Sequence, residues 1–127
     1  MEPLKTLVVI FLGGGLGSVA RYILGEKVSA LHSAQFPWGT FAVNVTACFL
    51  LGLIVGLAEQ KQLLSPGARL FWAVGFCGGF STFSTFSHET LALLQGGVTG
   101  TAVAYIVLSV TLCLLAVYAG QAVAASI

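Results

Sequence analysis

The polar chemistry of this chain gathers in one stretch, Gly75-Phe76-Cys77-Gly78-Gly79-Phe80-Ser81-Thr82-Phe83-Ser84-Thr85-Phe86-Ser87. There, three glycines and five hydroxyl side chains interrupt an apolar run from near Leu70 to near Leu94. A plain bilayer-spanning helix has no use for such a centre. Glycine permits backbone conformations closed to other residues, and hydroxyls bond carbonyls that a broken helix sets free. The stretch therefore predicts a discontinuous membrane helix. Main-chain polar groups uncovered at mid-depth survive only inside protein or along a path for something polar. That chemistry is transport.

Other residues place polar groups in apolar surroundings. The carboxamide of Asn44 must find partners, so it either glues helices together or offers its NH2 to a passing anion. Tyr105, Ser109 and Cys113 recur every fourth residue and fall on one helical stripe. A lone serine in such a helix usually bonds its own backbone, whereas a stripe of tyrosine, serine and thiol can replace the hydration of an ion step by step. Arg21 costs about 2.5 to 3.5 kcal/mol at mid-membrane, less if it reaches an interface. It is either an interfacial anchor or a residue that attracts and holds an anion. Phe83 and Phe86, three residues apart, present both rings on one face. Elsewhere such a pair is aromatic core; beside a hydroxyl-rich break, the electropositive ring edges can face an anion. Ser87, His88 and Glu89 carry the groups of a hydrolase, but consecutive residues on a helix point in different directions and cannot form a hydrogen-bonded triad. No enzyme is expected.

The elements that must position these groups follow from composition. With 127 residues, 57% hydrophobic, 7% charged and a mean hydropathy of +1.01, the chain cannot hide its apolar surface in one small water-soluble core. A span needs about 20 mostly apolar residues, and the chain holds four such runs: Leu4 to Leu24, Thr40 to Leu57, the interrupted run from Leu70, and Val98 to Ala119 or beyond. The interrupted span is expected to end around His88 and Glu89. The expectation is a single all-α transmembrane domain over residues 1–127, with four spans and the third broken. Gly13 with Gly17, and Gly52 with Gly56, have the small-xxx-small spacing that lets another backbone approach. Cys48, Cys77 and Cys113 lack paired metal-ligand spacing and read as small core residues. Lys5, the apolar residues after it and Ser18 with Ala20 loosely imitate a cleavable signal, but the apolar run continues to Leu24, so the segment is kept as a mature helix.

With a net charge of +1 and no basic cluster, nucleic acid is not an expected partner. If the spans alternate, Lys5, Lys61 and Arg69 fall on one side of the bilayer, Arg21 and Lys27 on the other. That leaves almost no preferred orientation. A chain able to insert either way can pair with its inverted copy, and four short helices are few for enclosing a pore alone. An antiparallel homodimer of dual topology is the expectation.

Gly13-Gly14-Gly15-Leu16-Gly17-Ser18-Val19-Ala20-Arg21-Tyr22, Gly39-Thr40-Phe41-Ala42-Val43-Asn44, and Gly75 to Ser87 with Glu89, in that order, resemble the Fluc (CrcB-type) fluoride channels of microbial membranes over essentially the whole chain. The resemblance implies a homodimer in a bacterial plasma membrane with two antiparallel fluoride pathways, each lined by both subunits. It implies a structural sodium ion at the centre, held by main-chain oxygens matching Gly78 and Ser81, the latter where the family commonly has threonine. The family's ring edges match Phe83 and Phe86, its pathway asparagine matches Asn44, and its polar track matches Tyr105 and Ser109. Cys113 falls where a hydroxyl is usual. Ser84, Thr85 and Arg21 complete the expected fluoride pathway, with Asn44 and the hydroxyls as close donors for a tightly hydrated ion. Flow would be passive and outward.

Two other classes fit the size. A small-multidrug-type cation exporter needs an acidic residue inside a span, and Glu59 and Glu89 are expected near helix ends. An assembly subunit of a larger complex needs only the glycine faces and leaves the hydroxyl-rich break without a use.

Overall fold

The computed structural model describes every residue except Ala34. Among the described residues the chain is helical throughout, with no strand. Helix α1 is Pro3–Ala30, opened by a proline where its missing N–H is harmless. It outruns the expected limit at Leu24 because the polar residues after it, Glu26 and Lys27 among them, are compatible with a helix. Its 28 residues measure about 42 Å at the α-helical rise, more than the hydrocarbon thickness. Arg21 is therefore interior to the helix.

Helix α2 is Trp38–Val55, extended by a widened turn over Gly56–Gln60. Helix α3 covers residues 66–80. It begins at Pro66–Arg69, where Ser65 caps the first turn by accepting from the Ala68 N–H at 3.1 Å. It widens to π-helical geometry over Leu70–Cys77 and ends with Gly78–Phe80. Helix α4 is Phe83–Gln95 and α5 is Thr99–Ala125. Helices α1, α5 and α2 with its widened turn are each long and apolar enough to cross a membrane. The fourth helical unit is α3 followed by α4, interrupted at Ser81 and Thr82. It continues to Gln95, so Glu89 lies in the middle of α4 and not near a helix end, contrary to expectation.

Close backbone packing holds the helices together. A Cβ on Gly52 would collide with the Val117 carbonyl, and one on Gly120 with the Phe49 carbonyl, so α2 and α5 touch main chain to main chain. Helix α1 lies against α3 in the same way: Gly13 faces the Phe71 carbonyl, Gly17 the Phe76 carbonyl, and Gly79 the Gly14 carbonyl. Both small-residue pairs thus serve the packing that their spacing predicts. Phe80, the last residue of α3, is buried with Val43 and Ala47 of α2, and Ala20 and Leu24 of α1 close over them. This apolar plug fixes the break between α1 and α2.

The glycines of the central stretch do not make the break. Gly78 has helical angles of −63° and −40°, and the one described glycine with positive φ is Gly97, in the connection before α5. Gly75 and Gly79 instead let α1 approach. The interruption is made by Ser81 (φ −76°, ψ 157°) and Thr82 (φ −149°, ψ 113°), both extended, a conformation any residue adopts.

Candidate ion pathway

The break is held by side chains. Asn44 on α2 makes a paired contact with the main chain of Thr82: Thr82 N–H donates to Asn44 Oδ1 at 2.8 Å, and Asn44 Nδ2 donates to the Thr82 carbonyl at 3.0 Å. Asn44 therefore does join helices, one of its two expected roles. Its second amide hydrogen has no acceptor among the described residues and stays available as a donor. Thr82 also caps α4. Its Oγ1 accepts from the Thr85 N–H at 3.2 Å and donates to Thr85 Oγ1 at 3.0 Å, a cap of about 1 kcal/mol. Ser81 turns the other way, its Oγ donating to the Cys77 carbonyl at 2.8 Å.

Two concavities meet at this point. One, of about 370 Å³, is a polar vestibule between α1, α2 and α4 in which Arg21, Ser18, Thr40, Thr85 and Glu89 face one another. Arg21 Nε is buried there without a hydrogen-bond partner, and its guanidinium is in no ion pair among the described residues. Leaving a buried donor unmet costs about 1–3 kcal/mol, so the site favours an incoming acceptor. The other, of about 260 Å³, is a groove with Asn44, Ser81, Phe83, Phe86, Ser109 and Cys113 on its walls. Thr82 is the one residue that lines both.

The groove is lined mainly by apolar and aromatic surface, with few polar groups. Phe83 and Phe86 lie 5.7 Å apart between centroids at 41°, so their spacing does put them together, and Phe83 is 79% exposed. Phe86 packs on Tyr105 at 4.9 Å. Tyr105 is fully buried and its hydroxyl donates to Glu89 Oε1 at 3.3 Å, tying α5 to α4. Ser109, 7% exposed, does not bond its own backbone as a lone helical serine usually does. Its Oγ is buried without a partner beside the groove.

The expected residues thus separate into neighbourhoods. Asn44, Phe83, Phe86 and Ser109 share the groove; Arg21 and Thr85 share the vestibule; Tyr105 is packed behind Phe86. Ser84 is exposed beside the break, its hydroxyl 3.4 Å from that of Thr82, and lines neither concavity. Gly78 and Ser81 border a third, smaller hollow beside Cys77. Sequence reasoning passed over Thr82, Ser18, Thr40 and Glu89. Threonine is a preferred N-cap residue, so Thr82 was legible as a capping candidate; the facing of the other three depends on how α1, α2 and α4 meet.

The family described as CrcB-like protein, Camphor Resistance (CrcB), matches residues 8–121. The chain belongs to the CrcB family. CrcB relatives named fluoride-specific ion channel FluC include a Phocaeicola vulgatus protein, 45% identical over 117 residues that cover 92% of this chain and 96% of the relative. A Bacteroides fragilis protein of the same name is 47% identical over 120 residues, covering 92% and 94%. A Geobacter sulfurreducens protein is 47% identical over 117 residues with the same coverage. Together with the apolar helices, CrcB membership makes the chain a multi-pass membrane protein.

Proposed function

We propose that this chain is a fluoride-selective channel of the bacterial plasma membrane, with residues 1–127 forming one transmembrane domain that pairs with an inverted copy of itself. The observation that carries the reading is the one-sided groove at the helix break. Ser109 supplies an unpartnered hydroxyl, Asn44 a spare amide hydrogen, and Phe83 and Phe86 aromatic rings, with Phe83 open to whatever covers the groove. A second subunit inserted the other way up closes it and produces two antiparallel pathways. The names of the relatives, fluoride-specific ion channels, support the choice of ion.

Fluoride enters through the vestibule, attracted by Arg21, and exchanges water for the hydroxyl of Thr85. It then passes between Asn44 Nδ2 and the edges of Phe83 and Phe86 to the hydroxyl of Ser109. Tyr105 holds Phe86 and Glu89 in place. Ser84 contributes from the side where the second subunit arrives. The process is passive, with no bond made or broken, and the membrane potential drives the anion outward.

The carbonyls of Gly78 and Ser81 suit a central sodium ion. Neither accepts a hydrogen bond from a backbone or side-chain donor outside a regular helix, and the Thr82 N–H that would occupy the Gly78 carbonyl is bonded to Asn44. Gly78 is exposed, with nothing within 4 Å of the place a Cβ would take, so its face is free to meet the same residue of a second copy. When bound, the cation offsets repulsion between anions in a low-dielectric interior.

The position of Glu89 keeps the exporter reading alive, since a half-buried carboxylate inside α4 is what a proton-coupled exchanger requires. Liposomes distinguish the two. Reconstituted protein is expected to release fluoride and retain chloride with no proton gradient, and proton-coupled cation uptake without fluoride release would overturn the channel reading.

A further inference from the structure

Asn44 lies on the groove wall, but its paired contact with Thr82 does something that fluoride passage does not use. In an unbroken helix the Thr82 N–H belongs to the carbonyl of Gly78, four residues back. Here it goes to Asn44 Oδ1 at 2.8 Å, with Asn44 Nδ2 closing the pair at 3.0 Å. Gly78 keeps helical angles, so its carbonyl still points along the axis toward the break and lacks the donor that helix geometry assigns to it. Asn44 is itself firmly placed, because its neighbour Val43 and, one turn on, Ala47 are 1% and 2% exposed in the core that also holds Phe80. Thr82 is itself only 8% exposed.

From this geometry we infer that Asn44 is a positioning residue for the central cation. By holding the Thr82 N–H, it keeps the Gly78 carbonyl free to serve as a ligand beside that of Ser81. Without an acceptor at this position, Ser81 and Thr82 return to helical angles, the Thr82 N–H goes back to Gly78, and the ligand carbonyl is capped. The cation site and the groove wall are thus joined through one carboxamide. This inference rests on the sodium site of the proposed function.

The test follows the melting temperature of the purified full-length protein against sodium chloride, with N-methyl-D-glucamine chloride holding ionic strength constant. The unsubstituted protein is expected to be stabilised by sodium. Asn44→Leu, of similar outline but without an acceptor, is expected to weaken apparent sodium affinity by about tenfold or more, while Asn44→Asp, which keeps an oxygen toward Thr82, retains the sodium response. Should the leucine variant not assemble, Asn44→Gln carries the same comparison, because its extra methylene moves the acceptor off the Thr82 N–H. A leucine or glutamine variant with the sodium response of the unsubstituted protein, or an aspartate variant without it, overturns the inference and leaves the cation site standing. An unsubstituted protein indifferent to sodium overturns the site, and the inference with it.

Discussion

The hydroxyl of Tyr105 on α5 donates to Glu89 Oε1 in the middle of α4 across 3.3 Å, and this is the one polar link recorded between the two helices among the described residues. Removing it separates two roles of Glu89. Tyr105→Phe keeps the ring against Phe86 and is expected to lower fluoride efflux from liposomes by about tenfold, equivalent to about 1.4 kcal/mol, because Glu89 loses the hydroxyl that holds it. Glu89→Gln keeps an acceptor and loses the proton-carrying carboxylate. A channel retains most of its flux in that variant, whereas an exchanger loses its coupling entirely.

Phe83 and Phe86 are expected to matter for passage and not for assembly. Phe83→Ile with Phe86→Ile keeps the apolar surface and removes the ring edges. Fluoride efflux should fall to the level of empty liposomes while size-exclusion chromatography still gives a dimer. Undiminished release would remove the aromatic wall from the mechanism.

Ser109 offers a trade between stability and flux. Its buried hydroxyl has no partner, so Ser109→Ala relieves a penalty of about 1–3 kcal/mol. The melting temperature should hold or rise while efflux falls. A fall in both would mean that the hydroxyl has a structural partner in the assembled protein.

Much of this arrangement was legible in the chain, for reasons that differ by residue. The interruption near Ser81 was visible because hydroxyls and glycines in an apolar run contradict a plain span. What its glycines do was not, since Gly75 and Gly79 are ordinary helical residues whose use appears only when Gly13 and Gly14 of α1 lie against them. The stripe of Tyr105 and Ser109 followed from helical period alone. Glu89 was misplaced because its neighbours Ser87 and His88 look like the polar end of a span, while the helix runs on through Thr90 to Gln95. Thr90 Oγ1 donates to the Phe86 carbonyl at 2.8 Å, satisfying within the helix a group that sequence alone leaves open.

The glycine contacts predict a graded series. Gly52→Ala forces a methyl into the Val117 carbonyl, and overpacking of that kind costs about 1–3 kcal/mol. Gly15→Ala meets nothing within 4 Å and should be neutral or stabilising by about 0.5–1 kcal/mol. Thermal unfolding in detergent checks both, and equal destabilisation would argue against backbone contact between α2 and α5.

Phe83 stands almost bare on one copy of the chain, at the edge of an open groove. On the proposed pairing with an inverted copy, a newly inserted chain is half a conduit. Passage on that proposal begins only at the encounter with a mate, which ties flux to the density of the protein in the bilayer more than to any moving gate.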